Sequence, residues 1–284
     1  MAVVVITGCS SGLGPLTALA FARRGDRVYA TMRGAQRGRD LLEAAAAEDL
    51  DVRVLELDVN DDVSIKSAVS QVVEAEGRID VVVNNAGVGH LGSVELLPDE
   101  LLRDTFETNL YGPVRVLRAV LPTMRARRSG VIVNVSSAAG RVPGVPIHWS
   151  YMASKHGVSV LSDALALEVE PFGIRVISIE PGFFKTDIIA KAGRPAPGDS
   201  PYRILEDAVV AFMEGGIAGG ADAHLVAQVI VDAVESDDGR LHVLVGDDAQ
   251  FFVSQSQSLT EAELATFYKE LIGVDTAAAA DATV

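Results

Sequence analysis

Seven short stretches rich in valine, isoleucine and leucine recur along the chain and alternate with longer segments of mixed polarity. They cover residues 3–7, 27–31, 52–57, 80–84, 131–135, 175–179 and 241–245. Each is long enough to form a strand buried on both faces of a sheet, because β-branched residues favour strands and a fully buried strand needs no polar face. The hydrophobic pattern therefore predicts seven strands.

The segments between these stretches have the spacing of helices. Apolar residues recur at helical intervals over residues 16–24, 63–76 and 101–125, and Pro15 lies where the first turn of a helix accepts proline. The sequence Thr260-Glu-Ala-Glu263 has the form of a capping box and predicts the start of the last helix. Repeated strand–helix units predict an α/β fold: a single Rossmann-type, doubly wound parallel sheet of about seven strands, flanked by helices.

The regular pattern is lost between Lys185 and Ala223. Several glycines and prolines precede a short apolar stretch with helical spacing, and two glycine pairs follow it, at 215–216 and 219–220. This composition predicts an insertion over residues 186–222 that holds a short helix and has mobile ends. We expect a single domain over residues 1–275 and a flexible, alanine-rich tail over residues 276–284.

Composition and charge exclude several classes of function. The chain has 284 residues, 49% of them hydrophobic, and a formal net charge of -15, so nucleic acid is not an expected partner. Cys9 is the only cysteine, which excludes an intrachain disulfide, and the five histidines lack the spacing of a metal site. The apolar start of the chain is too short to span a membrane and has no basic segment before it, which predicts a cytoplasmic protein without a membrane span.

A glycine-rich loop, Thr7-Gly-Cys-Ser-Ser-Gly-Leu-Gly14, joins the first predicted strand to the first predicted helix. Glycines let a backbone approach a pyrophosphate closely, and the N-terminus of the following helix supplies N–H donors and positive potential. An ordinary turn between strand and helix is the alternative interpretation. The loop predicts a dinucleotide site formed by Gly8, Ser10, Ser11, Gly12, Leu13 and Gly14.

The end of the second predicted strand bears on the choice of cofactor. An acidic residue there accepts a hydrogen bond from the adenosine ribose, whereas an arginine pairs with a 2′-phosphate. The strand ends in Tyr-Ala-Thr-Met-Arg33 without an acidic residue, and the Ser11 hydroxyl offers a second contact. Arg33 can also be interpreted as a solvated surface charge. We expect NADP(H), with NAD(H) as the less favoured alternative.

Polar residues also follow the third and fourth predicted strands. Asp58 and Val59 end the third strand, where the Asp58 carboxylate can bind the adenine amino group, and Asn85-Ala86-Gly87 end the fourth. Because ligands of open parallel sheets bind at the carboxyl ends of the strands, we expect these residues at the cofactor. The asparagines can alternatively stabilise a turn, and such a turn can itself line the cofactor cleft.

Four further residues predict the chemistry. Tyr151 and Lys155 are four positions apart in a segment with helical spacing, which places them on one face of a helix. A nearby ammonium favours the phenolate, so Tyr151 is suited to act as a general acid and base. Ser137 follows a predicted strand and can donate to an oxygen on which negative charge develops. Asn109 lies in a predicted helix, where a polar residue can interrupt the hydrogen bonding and hold a water in a proton relay.

In order and spacing, these motifs resemble the short-chain dehydrogenase/reductase family, in the branch with a Thr-Gly-x-x-x-Gly-x-Gly loop and a Tyr-x-x-x-Lys pair. The resemblance extends from about residue 3 to residue 186. It implies that the catalytic residues are Asn109, Ser137, Tyr151 and Lys155. It further implies cofactor contacts from Tyr151, Lys155, Pro181, Gly182, Phe184 and Thr186. A homodimer or homotetramer, formed through the helices of residues 110–125 and 151–170, is also implied.

Finer features are similar to the 17β-hydroxysteroid and retinol dehydrogenase group, among them the segment Ile179-Glu-Pro-Gly-Phe-Phe-Lys-Thr186. We expect a mostly apolar substrate pocket that includes Ser137, Val145, Trp149, Tyr151 and Phe183. The expected function is NADP(H)-dependent interconversion of a hydrophobic secondary alcohol and its ketone, steroid-like or retinoid-like. The alternatives are a ketoreductase acting on acyl-carrier or polyketide intermediates and a non-catalytic NADP-binding sensor.

Overall fold

Seven parallel strands form one central sheet in the computed structural model, which describes residues 1–195 and 200–273. The strands are β1 (Val3–Ile6), β2 (Arg27–Met32), β3 (Val52–Glu56), β4 (Val81–Asn84), β5 (Gly130–Val135), β6 (Ile174–Pro181) and β7 (His242–Val245). Their order across the sheet is β3-β2-β1-β4-β5-β6-β7. The predicted doubly wound parallel sheet is confirmed, because every neighbouring pair is parallel and all strands lie at or near their predicted positions.

Ten α-helices within the described residues connect the strands and cover the sheet. They are α1 (Leu13–Arg23), α2 (Arg39–Ala47), α3 (Asp62–Glu76), α4 (Asp99–Phe106), α5 (Gly112–Arg127), α6 (Trp149–Val169), α7 (Arg203–Gly219), α8 (His224–Glu235), α9 (Asp247–Ser258) and α10 (Glu261–Ile272). The predicted capping box is present at α10, where Thr260 and Glu263 exchange side-chain to backbone hydrogen bonds. Within the described ranges, no helix combines the length and the apolar character that crossing a membrane requires.

Alternate residues of the strands pack on opposite faces of the sheet. Val4 and Ile6 of β1 belong to the core formed with α1 and α8, whereas Val3 and Val5 belong to the core formed with α3, α5 and α6. This period of two is the reason that continuous runs of valine and isoleucine form strands covered on both sides. A third apolar cluster lies between α6, α7, α9 and α10, beyond the sheet.

The segment predicted as an insertion contains a longer helix than we expected. α7 has 17 residues and includes Gly215 and Gly216, which the prediction placed after a short helix. A Cβ at Gly216 would lie 2.9 Å from the Phe183 ring, so this glycine permits close packing and does not end the helix. Residues 196–199 and the predicted tail over residues 276–284 lie outside the described residues, and the extent of the single domain stays a prediction.

Glu180, a buried carboxylate in β6, is paired with His242 of β7. The His242 Nδ1 and Glu180 Oε1 atoms are 2.6 Å apart, and His242 Nε2 is 2.7 Å from Asp163 Oδ1 of α6. The hydrogen bond with Glu180 raises the pKa of His242 above its ordinary value, although partial burial opposes this rise. His242 therefore links β6, β7 and α6, and the raised pKa favours its protonated form.

Replacing His242 with glutamine is expected to lower Tm more in mild acid than in mild base. Because the folded-state pKa is raised, the stabilisation is fully present below the unfolded-state pKa of about 6.5 and is lost as the pH rises through the folded-state value. Thermal unfolding at about pH 5.5 and about pH 8.5 measures the difference. His224→Gln, at an exposed position, is the control. Equal losses of Tm at the two pH values would show that His242 stabilises the fold without its charge.

Candidate active site

The glycine-rich loop between β1 and α1 is hydrogen-bonded to the end of β4. The Asn85 side-chain amide donates to the carbonyl oxygens of Thr7 at 2.8 Å and Gly8 at 3.2 Å. The Thr7 hydroxyl accepts from the N–H groups of Asn85 and Ala86, both at 3.0 Å. Gly8 has a φ of 73°, and a Cβ there would lie 2.7 Å from the Ala86 Cα. Only glycine allows the two segments to approach this closely.

The loop leaves the N-terminus of α1 open to an anion. Gly12, directly before α1, has a φ of 67°, and a Cβ at this position would meet no atom within 4 Å. No described side chain caps this helix, so its first N–H groups and its positive end are available to a ligand. These features fit the pyrophosphate of a dinucleotide. The adjoining cavity is lined by the predicted residues Gly8, Ser10, Ser11, Gly12 and Leu13.

Gly14 is the one residue of this loop that was predicted to bind the dinucleotide and does not line the cavity. A Cβ on Gly14 would overlap the carbonyl oxygen of Gly8 and approach Cys9 Cα at 2.8 Å. This glycine therefore lets α1 pack closely beneath the loop. Gly14 thus shapes the turn and is not part of the cavity wall.

A cavity of about 500 Å³ extends from the loop along the carboxyl ends of the strands. It lies at the point between β1 and β4 where the strand order reverses, the usual ligand position in open α/β sheets. The other residues predicted to bind cofactor all line it: Arg33, Asp58, Val59, Asn85, Ala86, Gly87, Tyr151, Lys155, Pro181, Gly182, Phe184 and Thr186.

Besides Lys155, three lysine or arginine side chains of the described residues line this cavity, and two of them were not predicted. Arg33 follows β2, and Arg37 lies in the 3₁₀ turn that comes next. Lys191 comes from the segment after β6; its ammonium donates to the Ser11 hydroxyl at 2.9 Å and pairs with Asp187 at 3.1 Å. The four-residue spacing of the two arginines is visible in the sequence, whereas nothing in the sequence places Lys191 against the glycine-rich loop.

Tyr151 and Lys155 lie on one face of α6, line the cavity and are more than nine-tenths buried. The Lys155 Nζ atom is 5.7 Å from the centre of the Tyr151 ring and donates to the Val135 carbonyl at 2.8 Å. Burial lowers the pKa of Lys155 to about 8 and raises the pKa of Tyr151 to about 12. A hydrogen bond with Ser137, at the end of β5, opposes the rise in the pKa of Tyr151. Ser137 and Tyr151 therefore line the same cavity, with hydroxyl groups close enough to interact.

Asn109 interrupts a helix, as its polarity predicted. A π-helical turn over Glu107–Tyr111 separates α4 from α5. The buried Asn109 side chain accepts from the Val88 N–H and donates to the Val88 carbonyl, both at 2.8 Å. It also donates to the Ser154 hydroxyl at 2.9 Å. Asn109 therefore holds the loop after β4 against α6, and its part in a proton relay stays a prediction.

The other end of the cavity is mostly apolar. Val145 and Phe183, two of the predicted substrate residues, line it together with Val142, Met152, Ile188, Phe212, Met213, Phe252 and Leu271. Asp248, in the first turn of α9, accepts from the Phe183 N–H at 2.6 Å and so fixes the start of the segment after β6. Two polar residues that we did not predict, His148 and Tyr268, also line this end.

Trp149 was predicted to contact substrate, and the structure places it elsewhere. It lines a separate cavity beside Tyr202 and Leu205 and is absent from the lining of the cavity that holds Tyr151. The physical reason is helical periodicity, because two residues separated by two positions in α6 point to nearly opposite sides of the helix. Proximity in sequence to Tyr151 was a misleading signal.

The amino-acid sequence matches the family model of the short chain dehydrogenases over residues 2–196. It is 42% identical over 185 residues to the 3-ketodihydrosphingosine reductase of Bacteroides thetaiotaomicron, covering 65% of this chain and 64%, less than two thirds, of that protein. It is 37% identical to the monensin polyketide synthase putative ketoacyl reductase of Streptomyces virginiae, covering 77% of this chain and 83% of that protein.

Solved structures share the fold over most of their length. A short-chain dehydrogenase from Streptomyces avermitilis has a TM-score of 0.82 and 34% identity, covering 96% of this chain and 98% of that one. A metagenomic short-chain oxidoreductase in complex with NADP has a TM-score of 0.69 and 27% identity, covering 86% and 96%. A short chain dehydrogenase/reductase from Burkholderia phymatum in complex with NAD has a TM-score of 0.81 and 25% identity, covering 93% and 95%.

The sheet, the glycine-rich loop and the pair on α6 thus agree with the matches in sequence and in structure. Relatives in complex with NADP and with NAD both occur, so the family accounts for a nicotinamide dinucleotide without selecting one. The chain belongs to the short-chain dehydrogenase family and is an oxidoreductase that acts on CH–OH groups.

Proposed function

We propose that this enzyme transfers a hydride reversibly between NADP(H) and a hydrophobic secondary alcohol or ketone. The observation that carries the proposal is that Ser137 and Tyr151 line one cavity, which has a glycine-rich loop at one end and apolar walls at the other. A carbonyl oxygen at this point would receive two hydrogen bonds, while the rest of the molecule packs against apolar side chains. The retention of both hydroxyls and of Lys155 argues against a non-catalytic sensor.

Each side chain of the site has a separate task in this reaction. Ser137 donates to the substrate oxygen and stabilises the negative charge that develops on it during reduction. Tyr151 donates its proton to the same oxygen, and takes a proton from the hydroxyl during oxidation. The ammonium of Lys155 favours the ionised form of the phenol. The nicotinamide, when bound, supplies or accepts the hydride. Asn109 is a positioning residue, because it contacts the Val88 backbone and Ser154.

The reaction is tested by following absorbance at the nicotinamide band with NADPH and a panel of steroid, retinoid and β-keto substrates. Reduction of a hydrophobic ketone, and oxidation of the matching alcohol with NADP⁺, are the expected results. A folded protein that binds NADPH and reduces no ketone of the panel would contradict the proposal.

The preference for NADP(H) is supported by the charges in the cavity. Arg33 and Arg37 follow β2 at the position where an acidic residue would repel a 2′-phosphate, and the Ser11 hydroxyl is within reach of Lys191. Asp104 offsets part of this positive charge. Its pKa is held below its ordinary value by the hydrogen bond from His90 and, less strongly, by the nearby Arg33. A bound 2′-phosphate would compete with Asp104 for Arg33.

Replacing Arg33 with alanine is expected to raise the Kd for NADPH about tenfold and the Kd for NADH less than about threefold, since only the former carries the phosphate that Arg33 pairs with. Titration of nicotinamide fluorescence measures both constants. Arg39→Ala is the matched control, because Arg39 is exposed at the start of α2 and lies outside the cavity. An equal rise in the Kd for NADPH and the Kd for NADH in Arg33→Ala would refute the assignment of Arg33 to the 2′-phosphate. A lower Kd for NADH than for NADPH in the wild-type enzyme would refute it as well.

The relatives bear on the class of ketone. The sequence favours a steroid-like or retinoid-like substrate, whereas the two relatives named above are a ketodihydrosphingosine reductase and a putative ketoacyl reductase. These names support a second candidate, a ketoreductase for acyl or polyketide chains. Substrates of either class would place a hydrophobic ketone in the same cavity. The rates of reduction across the panel of substrates compare the two classes directly.

We also propose that the enzyme forms a homodimer or homotetramer through α5 and α6. The exposed fractions of Val160 and Leu167 on α6 are 66% and 74%, and a second copy of the chain would cover these apolar side chains. Light scattering during size-exclusion chromatography gives the mass of the particle, and the mass of a single chain would contradict the proposal.

A further inference from the structure

The imidazole of His148 is stacked on the ring of Tyr151. The two ring centres are 4.6 Å apart and the rings are within 11° of parallel. His148 directly precedes α6, lines the cavity and is only 5% exposed. It is therefore held against the acid–base residue of the proposed reaction, on the side of the cavity where the substrate packs.

The backbone before His148 fixes the position of this ring. Ile147 has a φ of 67°, a left-handed conformation that is rare for a β-branched residue. Its carbonyl accepts from the Gly92 N–H at 2.9 Å, and the His148 carbonyl accepts from the Met152 N–H at 3.2 Å. A conformation this unfavourable persists only where surrounding contacts impose it, and such positions cluster at functional sites.

The ring of His148 has hydrogen-bonding capacity that the described residues do not use. Burial lowers the pKa of His148 to about 4, so the neutral imidazole has one donor and one acceptor nitrogen. No described group hydrogen-bonds to this ring. In contrast, His90 bonds through both ring nitrogens, to Asp104 at 2.7 Å and to the Gly193 N–H at 2.9 Å. Buried polar groups without a partner are rare in proteins, and one that faces a ligand cavity is available to the ligand.

We propose that His148 hydrogen-bonds to a second oxygen of the substrate, carried on the β carbon relative to the reacting carbonyl. The inference rests on the proposed function and specifies its substrate. One oxygen of a 1,3-dioxygenated chain binds at Ser137 and Tyr151, and the other reaches the ring stacked 4.6 Å from Tyr151. An isolated ketone fills the same apolar space without using His148. The residue thereby distinguishes β-oxygenated chains from isolated ketones such as those of steroids.

Two ketones of equal length test this inference. Methyl 3-oxooctanoate carries a second carbonyl on the β carbon, and 5-decanone has methylene groups in its place. In His148→Phe, which keeps an aromatic ring on Tyr151, kcat/KM for the keto ester is expected to fall about tenfold further than kcat/KM for 5-decanone, the loss of one hydrogen bond. Comparing each ketone with itself across variants removes the greater intrinsic reactivity of the keto ester.

Three companion variants sharpen the result. His148→Gln retains a hydrogen-bond donor and an acceptor. It is therefore expected to restore part of the wild-type ratio of kcat/KM for the keto ester to kcat/KM for 5-decanone. His156→Phe is the matched control, because His156 lies about two turns further along α6 and outside the cavity. The ratio of kcat/KM between the two ketones should not change in this variant. Tyr268→Phe examines the second unpredicted polar side chain at the apolar end of the cavity, whose buried hydroxyl also has no partner among the described residues.

Equal losses for both ketones in His148→Phe, or no loss for either, would overturn the role of His148. The role of His148 would also be overturned if Tyr268→Phe changed the ratio of kcat/KM between the two ketones and His148→Phe did not. The second oxygen would then be assigned to Tyr268 of α10. Unchanged Kd for NADPH in every variant shows that the fold and the cofactor site are intact. Failure of the proposed function is separate, since the wild-type enzyme would then reduce neither ketone although it binds NADPH.

Discussion

Replacing Tyr151 with phenylalanine is expected to lower kcat about a thousandfold and to leave the Kd for NADPH within about threefold of the wild-type value. The change removes the only atom of Tyr151 that can exchange a proton with the substrate oxygen. The ring remains, so its packing against His148 at 4.6 Å is kept and the cavity retains its shape. Steady-state rates and a fluorescence titration of NADPH measure the two quantities.

The control for this change is Tyr202→Phe. The Tyr202 hydroxyl donates to Glu95 at 2.6 Å beside the second cavity, so its loss should leave kcat unaltered. A Tyr151→Phe enzyme with more than about a tenth of the wild-type kcat would exclude Tyr151 as the general acid, because general acid–base catalysis contributes a larger factor than that.

Replacing Lys155 with methionine is expected to lower kcat about a hundredfold and to move the pH profile of alcohol oxidation towards higher pH. Burial raises the pKa of Tyr151 to about 12 with Lys155 in place, and replacing Lys155 removes a charge that favours the ionised phenol. Oxidation needs the ionised phenol. The part of the profile in which the rate of oxidation rises with pH should therefore move to higher pH. Methionine keeps most of the apolar volume of the lysine side chain.

The pH profile separates this role from a structural one. Lys185→Met, an exposed lysine on the segment after β6 that does not line the cavity, is the control and should leave both kcat and the profile unchanged. If Lys155→Met lowers kcat at every pH by the same factor, Lys155 contributes to packing or cofactor binding but not to the ionisation of Tyr151.

The fold could be predicted because each strand carries its own signal. The β-branched residues of β1 pack on both faces of the sheet, so consecutive positions of the strand must all be apolar. Such a run of residues is visible in the sequence. The helix predicted over residues 101–125 is divided at Asn109, where the sequence indicated an interruption but not its form. The three hydrogen bonds of Asn109 impose a π-helical turn, and its partners, Val88 and Ser154, are distant in sequence. Local spacing cannot report such contacts.

The parts of the site that the sequence did not reveal depend on how loops cross the cavity. Lys191 contacts Ser11 across 180 positions, and this pairing exists only because the segment after β6 folds back over the glycine-rich loop. His148 was within three residues of Tyr151, yet its stacking depends on the left-handed backbone of Ile147, which no pattern of β-branched residues predicts. Conversely, Trp149 was assigned to the pocket although helical geometry turns it away.

The third apolar cluster has a consequence for how this enzyme can be altered. The residues that we propose for hydride transfer all lie before residue 187, within the range that matches the family, whereas α7, α9 and α10 supply much of the apolar wall from residues after 200. Part of the apolar wall thus comes from a segment of the chain that follows all of the proposed catalytic residues. Recombination or directed evolution confined to the segment after residue 200 can reshape the wall and leave Ser137, Tyr151 and Lys155 in place.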